Sequence, residues 1–255
     1  QQLQKKSDFP YISANIFSSN GKRLYDPYII IEKQGKKIGF IGLSSVFLNE
    51  KLTVKDPFKI LKDLIKEVES KTDMIILLFN ASEKDLNRLK TKDYDIDFVV
   101  RSRSNLPPAV SKDGGSASTP IYSIGMRGKY VFEFDINIGD NESQFLDVMF
   151  LESKLEKSEK FLSSYNIDYE ESIDLDFEFK DDPKTLNQIK KKLKERDDLV
   201  SLLNNKINYF SFRKYSLDKQ IKDDIKILNV IENEKKKMVD LFGPLPDPHK
   251  GHNHK

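Results

Sequence analysis

The sequence predicts an α/β domain followed by an antiparallel α-helical hairpin. Three observations carry this reading: a strand-helix-strand-helix-strand order between Tyr28 and Val100, a further set of strand-like runs from Ile121 to Leu151, and two helical seams between Pro183 and Gly243.

Tyr11 to Ile16 reads as a short strand. Tyr28 to Glu32 and Lys37 to Leu43 are β-branched runs separated by Gln34-Gly35-Lys36, which predicts a β-hairpin. From Phe58 the spacing becomes helical through Leu61, Leu64, Ile65 and Val68, with Asp56 placed to cap and Pro57 at the first helical position. Met74 to Phe79 is a continuous apolar run of the buried-strand type. Leu86 and Leu89 predict a short helix before a second such strand at Ile96 to Val100. Ser104 to Pro120, rich in Pro, Ser and Gly, reads as a surface loop. Ile121 to Ile124, Tyr130 to Ile138 and Gln144 to Leu151 are strand candidates, the last two joined by a turn at Gly139-Asp140-Asn141.

The domain is expected to end at residue 152, with an acidic extended linker over 153–182, in which Leu175, Phe177 and Phe179 alternate with acidic residues. Asp182-Pro183 then opens a helix whose apolar residues Leu186, Ile189, Leu193, Val200, Leu203 and Ile207 fall on three- and four-residue steps, Arg196 filling the one missing step. After an aromatic turn at Tyr209 to Phe212, a second helix from Ser216 carries Leu217, Ile221, Leu228, Ile231, Met238 and Phe242 to Gly243. The two helices are expected to fold back on each other over 183–243, leaving 244–255 as a disordered tail that holds His249, His252 and His254.

Composition excludes several function classes. Of 255 residues 38% are hydrophobic and 33% charged, which suits a core with a solvated extension. The 43 basic residues are interleaved with 41 acidic ones, so the net charge of +2 offers no broad electrostatic footprint, and nucleic acid is not an expected partner. With no cysteine there is no disulfide framework, thiol nucleophile or thiolate zinc site. Apolar runs such as Met74 to Phe79 fall far short of the ~20 residues of a membrane span. No catalytic triad, phosphate-cradling glycine loop or dinucleotide fingerprint is present.

Four segments look familiar together. Phe9-Pro10-Tyr11-Ile12-Ser13-Ala14-Asn15 with Tyr28 to Leu43, then Asp73 to Ser82, Ile96 to Asn105 and Ser123 to Asp135, resemble in order and spacing the second half of the catalytic domain of calcineurin-like metallophosphoesterases of the 5′-nucleotidase and UDP-sugar hydrolase family. Asp181-Asp182-Pro183 is similar to the start of the linker helix leaving that domain. The resemblance implies a partial α+β sandwich of the metallophosphoesterase type and a periplasmic or extracellular setting. The family's first half would precede Gln1, and its C-terminal substrate-binding domain is replaced here by the helical seams, so the chain is expected to be a fragment or one product of a split protein.

The family holds two divalent metal ions through imidazoles and carboxylates at strand ends. Here the position of the histidine in the "LSHLG" segment is Asn80, and the two histidines of "GGHTH" fall on Arg103 and Asn105, preceded by Arg101 and Ser102. An amide oxygen is a weak ligand, and a guanidinium has no lone pair to donate. The substitutions therefore lead to an expectation of no cofactor, the alternative being two divalent metal ions with ligands from outside this chain. Arg101, Arg103, Arg127 and Lys129 are candidate anion-binding residues for a phosphate-containing ligand, against the plain alternative of solvated loop cations. His249, His252 and His254 have a spacing that permits a weak metal site, against the plain alternative of a solvated tail.

Two functions of different class follow. One is a catalytically degenerate metallophosphoesterase-like module for binding or scaffolding, with a protein partner, such as the missing N-terminal half, docking on residues 183–243. The other is a metal-dependent phosphoesterase completed by that half. A structural component of an envelope assembly is a third reading.

Overall fold

The computed structural model describes residues 4, 7–92, 94–102, 109–110, 119–123, 125, 128–140, 143–167, 174–218 and 220–243. Two compact units divide the chain, Gln1–Ser216 and Leu217–Lys255.

In chain order the first unit holds β1 (Ile16–Ser18), β2 (Tyr28–Lys33), β3 (Lys36–Ser44), β4 (Leu52–Val54), α1 (Phe58–Glu69), β5 (Met74–Asn80), α2 (Glu83–Lys90), β6 (Phe98–Ser102), β7 (Ala109–Val110), β8 (Ile121–Ser123) and β9 (Tyr130–Asn137). It continues with β10 (Leu146–Asp147), α3 (Val148–Ser163), α4 (Leu175–Glu178), α5 (Pro183–Asn204) and β11 (Tyr209–Ser216); α6 (Ile225–Phe242) belongs to the second unit.

Six strands form one sheet in the order β2-β3-β5-β6-β8-β7, with β3, β5, β6 and β8 parallel and antiparallel strands at both edges. The β2-β3 hairpin turns on Gln34 and Gly35, both at positive φ, as the two-residue loops that match strand twist require. Period-two alternation along β5 sends Ile75, Leu77 and Phe79 to one face and Met74 and Ile76 to the other. On the first face they pack with Leu61, Leu64, Ile65 and Val68 of α1 and with Leu86 and Leu89 of α2. Asp56 holds the start of α1 by accepting from the Phe58 N–H at 3.0 Å. Gly42 is required where the Ile12 segment crosses β3, since a Cβ there would lie 2.5 Å from the Ile12 carbonyl oxygen.

On the opposite face a three-stranded sheet, ordered β10-β11-β9, covers the aromatic side of the large sheet. Phe132, Phe134 and Ile136 of β9 and Phe210 and Phe212 of β11 close over Met74, Phe98 and Tyr122, with Phe98 and Phe210 meeting edge-on at 4.8 Å between ring centroids. Buried Asn208 ties the two ends of this layer together: its amide donates to the Asp140 and Ser143 carbonyls at 2.9 and 2.6 Å and accepts from the Gly139 N–H at 2.8 Å. The helix-sheet-sheet layering is the α/β sandwich that the sequence predicts.

Five expectations are corrected. The strand read at Tyr11 to Ile16 forms only from Ile16, because residues before it are held by a lone bridge from Ile12 to Asp26 and by the side chain of Asn15. The run Gln144 to Leu151 is strand for two residues and helix thereafter. Asp147 accepts from the Phe150 N–H and starts α3, and Leu151 and Leu162 fall on its buried side. Strands β9 and β10 therefore do not form a direct hairpin; β11 lies between them.

The acidic segment 153–182 is accordingly helical over its first eleven residues, to Ser163. Leu175 and Phe179, read there as an alternating strand, sit one helical turn apart across α4 and pack with Leu162, Ile167 and Ile189. The hairpin over 183–243 changes most. Helix α5 buries Ile189 and Leu199, and Ile189 and Leu193 pack against Leu162 and Phe161 of α3. Tyr209 to Phe212 is β11 rather than a turn, and α6 begins at Ile225 rather than Ser216. Arg196, the polar step in the α5 seam, faces Glu159 of α3 at 3.8 Å. The tail 244–255 lies outside the described residues.

Candidate functional site

In an open parallel sheet the crevice beyond the carboxyl ends of the strands is where ligands bind. Here β3, β5 and β6 end level with one another, Ser44 beside Asn80 and Asn80 beside Ser102. The loops leaving these ends, with residues 13–15 passing over β3, gather a set of short polar side chains.

Asn15 is their hub. Fully buried, it donates from its amide to the Ser44 carbonyl at 2.6 Å and the Lys55 carbonyl at 2.7 Å, and accepts from the Ser44 N–H at 3.0 Å. Next to it the buried Ser45 hydroxyl accepts from the Ser82 N–H at 2.8 Å and bonds the Ser82 hydroxyl at 3.2 Å, while the Ser45 N–H donates to the Asn80 carbonyl. The Ser82 hydroxyl also accepts from the Asp85 N–H and caps α2. The loops after β3 and β5 are thus fastened to each other by hydroxyl bonds.

Of the residues singled out from the sequence, Asn80 stands exposed at the end of β5, the edge of the crevice. Arg101, on β6, is 6% exposed and donates to Glu83 at 2.5 Å and to the Ala81 carbonyl at 3.4 Å. Its charge is thereby already matched, and it fixes the end of β6 to the start of α2. Lys129 is exposed ahead of β9. Arg103, Asn105, Arg127, His249, His252 and His254 lie outside the described residues.

Sequence reasoning missed the ion-paired cluster beside this crevice. Arg88 binds Asp85 at 2.9 Å and Asp56 at 3.1 Å, and its guanidinium carbon lies 4.2 Å from the centre of the Phe58 ring. Burial presses the Asp56 carboxyl upward, but the bonds from Arg88 and the Phe58 N–H outweigh it and hold the group below the ordinary carboxylate range. Asp97 accepts from the Ile75 N–H at 2.7 Å, and there burial wins and raises the carboxyl above its usual value. The Asp85–Arg88 pair lies three residues apart on α2 and could have been read locally, whereas Arg88 with Asp56 and Asp97 with Ile75 join residues far apart in the chain.

The described donor set at the strand ends does not by itself fit a two-metal centre. Among the described residues its oxygens are those of Asn15, Asn80 and serines, and the nearby carboxylates Asp56, Glu83 and Asp85 are each bound to an arginine. Among the described residues no three of His, Asp or Glu converge. Of these groups the buried Asn15 and Ser45 are engaged within the protein, and the exposed amide of Asn80 is the one open to a polar ligand. A cavity of 730 Å³ lies elsewhere, between α3 and α5, lined by Lys154, Phe161, Lys192, Glu195 and Leu199. Its charges are interleaved, and Lys192 binds Glu195 at 2.6 Å.

No family model matches the sequence. Over 110 residues, 40% of this chain and 24% of the relative, it is 31% identical to YunD, an uncharacterized metallophosphoesterase of Bacillus subtilis. A stretch of 40 residues, 15% of this chain and 7% of the relative, is 52% identical to a 5′-nucleotidase of Vibrio cholerae. The protein UshA of Yersinia enterocolitica is 46% identical over 46 residues, 18% of this chain and 8% of that protein. The chain thus spans about a quarter or less of the length of these relatives. Among solved structures it is similar to the 5′-nucleotidase precursor of Thermus thermophilus, at 19% identity and a TM-score of 0.45 over 57% of this chain and 33% of the other. The calcineurin-like phosphoesterase YfkN of Bacillus subtilis aligns at 22% identity and a TM-score of 0.42 over 52% and 51%. The sequence resemblance to part of a metallophosphoesterase domain of the 5′-nucleotidase kind is borne out. No described helix is long and apolar enough to cross a membrane.

Proposed function

We propose that this chain is a partial metallophosphoesterase-like domain that binds rather than hydrolyses, presenting its strand-end crevice to a phosphate-containing ligand and its C-terminal helices to a protein partner. The observation that carries the reading is the chemistry at the ends of β5 and β6. Where the resemblance places a metal-binding histidine stands the exposed amide of Asn80, and on the neighbouring strand Arg101 is buried against Glu83. An amide in place of an imidazole removes a strong donor, and Arg101, its charge matched by Glu83, has no lone pair to offer a metal. Arg103, with Arg127 and Lys129, supplies the cationic contacts for the phosphate in this reading, and the compartment is periplasmic or extracellular by resemblance.

The test is metal content, measured by mass spectrometry on the protein from its native source, together with calorimetric binding of nucleoside monophosphates and an assay of their hydrolysis. Binding without metal and without turnover is expected. Two equivalents of manganese, zinc or iron with metal-dependent release of phosphate would sink the proposal. That result would establish the second reading, an active phosphoesterase, which the short span of the relatives covered by this chain favours: the rest of their length has room for the missing ligands.

A further inference from the structure

Helix α6 carries an apolar face with a symmetry of its own. Its 18 residues contain no buried side chain, and Ile227 is 59% exposed, Met238 47% and Phe242 80%. At 100° per residue the apolar side chains from Ile227 to Phe242 fall on one half of the helix, which Glu234 and Lys235 share, and Asn229, Asn233, Lys236 and Asp240 fall on the other with Ile225. Along the axis the helix divides into an apolar first half ending at Ile231, a charged middle from Glu232 to Lys237, and an apolar last turn from Met238. Within the middle the acids come first and the bases second.

This order reads the same in both directions once charge is inverted. Reflection about the point between Glu234 and Lys235 exchanges Ile227 with Phe242, Leu228 with Leu241, Val230 with Val239 and Ile231 with Met238, apolar for apolar in every case. It also exchanges Glu232 with Lys237 and Glu234 with Lys235, acid for base. We propose that α6 is a self-association element, pairing antiparallel with α6 of a second copy about a two-fold axis level with Glu234 and Lys235.

An isologous two-fold contact uses the same patch on both subunits, and this patch is complementary to its own reverse. Antiparallel, the layers Ile227 with the partner's Phe242 and Ile231 with the partner's Met238 are continuous with each other. The turn bearing Glu232 and Glu234 then lies level with the partner's Lys235 and the partner's Lys237. A parallel pair would set acids level with acids and lysines with lysines, which like-charge repulsion opposes. The ion pairs within the single helix, Lys235 to Glu232 and Lys237 to Glu234, each 2.7 Å, are solvent-exposed and contribute little that pairing would lose. The proposal does not depend on the reading of the strand-end crevice, and its failure would leave that reading untouched.

The experiment is sedimentation equilibrium of the full 255-residue chain, and a dimer of twice the 29.6 kDa chain mass is expected. The substitution E232K/E234K should weaken the dimer at least about tenfold, and the exchange E232K/E234K/K235E/K237E should restore it, since acids and bases again lie level. Because the chain has no cysteine, I231C and M238C chains report orientation directly. Mixed, they should form a disulfide-linked pair, whereas I231C alone should not, its two copies lying about 10 Å apart along the axis by the helix rise. A single 29.6 kDa species at 100 μM overturns the proposal, whether α6 then sediments with anionic vesicles or not. So does a dimer indifferent to the charge exchange, or one that links I231C to itself.

Discussion

Replacing Asn15 by alanine removes one side chain and orphans three backbone groups. The amide donates to two carbonyls at 2.6 and 2.7 Å and accepts from one N–H at 3.0 Å, and the residue is fully buried. Each lost hydrogen bond is worth about 1 kcal/mol net, and a buried group left unpaired costs about 1–3 kcal/mol. The Ser44 N–H and carbonyl sit beneath Asn15, whereas the Lys55 carbonyl is at the margin and regains water. The sum is roughly 3–5 kcal/mol, a large share of the 5–15 kcal/mol that is typical of a domain. With a urea slope of about 2–3 kcal/mol/M for a unit of this size, the unfolding midpoint should fall by about 1–2 M without a change in slope. Asn15→Asp is the control. It keeps the acceptor for Ser44 but turns a carboxylate toward two carbonyls, so it should destabilise more at pH 7 than at pH 4, where a protonated carboxyl can donate. A midpoint shift under about 0.5 M for Asn15→Ala would refute the reasoning, because it would mean that water replaces the amide at no cost and that Asn15 does not organise the strand ends.

The raised carboxyl of Asp97 makes a linkage prediction. Its unfolded value is near 3.8 and its folded value higher, chiefly through burial, with Asp95 and Glu69 adding repulsion. Its contribution is therefore fully present below the unfolded value and lost as pH rises through the folded one. Asp97→Asn keeps an acceptor for the Ile75 N–H, so the stability of the variant relative to the parent should grow with pH across that window in denaturant titrations; a flat difference would exclude the coupling. Tyr122 has a buried hydroxyl with no hydrogen-bond partner among the described residues, and Tyr122→Phe should raise stability by about 1 kcal/mol in the same titration, a loss of that size being the contrary result.

What the sequence made legible follows the range of the interactions involved. Helix α1 could be read because Leu61, Leu64, Ile65 and Val68 repeat at helical spacing behind Asp56, and the β2-β3 turn because Gln34-Gly35 is a local signal. Strand β11 could not. Its Phe210 and Phe212 are inward only by virtue of pairing with Ile136 and Phe134 of β9, more than seventy residues away, and in isolation the segment reads as a turn. The run Val148 to Leu151 has strand-like composition, yet it lies in α3 behind the Asp147 cap, with Leu151 buried and the far end of the helix packed on α5. At the site, the substitution at Asn80 was visible through resemblance, while the ion pair of Arg101 with Glu83 and the hub of Asn15 were not, since each joins residues brought together by the sheet.

The place of β11 at the middle of the second sheet has a consequence for synthesis. A ribosome delivers Phe98 and Tyr122 long before Phe210 and Phe212, and the intervening stretch contains α3 and α5. Until residue 216 has left the exit tunnel the aromatic side of the large sheet has only the β9 part of its cover, and β9 and β10 have no strand between them. A nascent chain stopped anywhere before Tyr209 therefore displays an apolar sheet face and open strand edges, the form most prone to aggregate and the one a holdase chaperone would retain. A piece of this chain that ends at residue 152 accordingly lacks the central strand of the second sheet, and only one that runs through Ser216 contains both layers of the aromatic core.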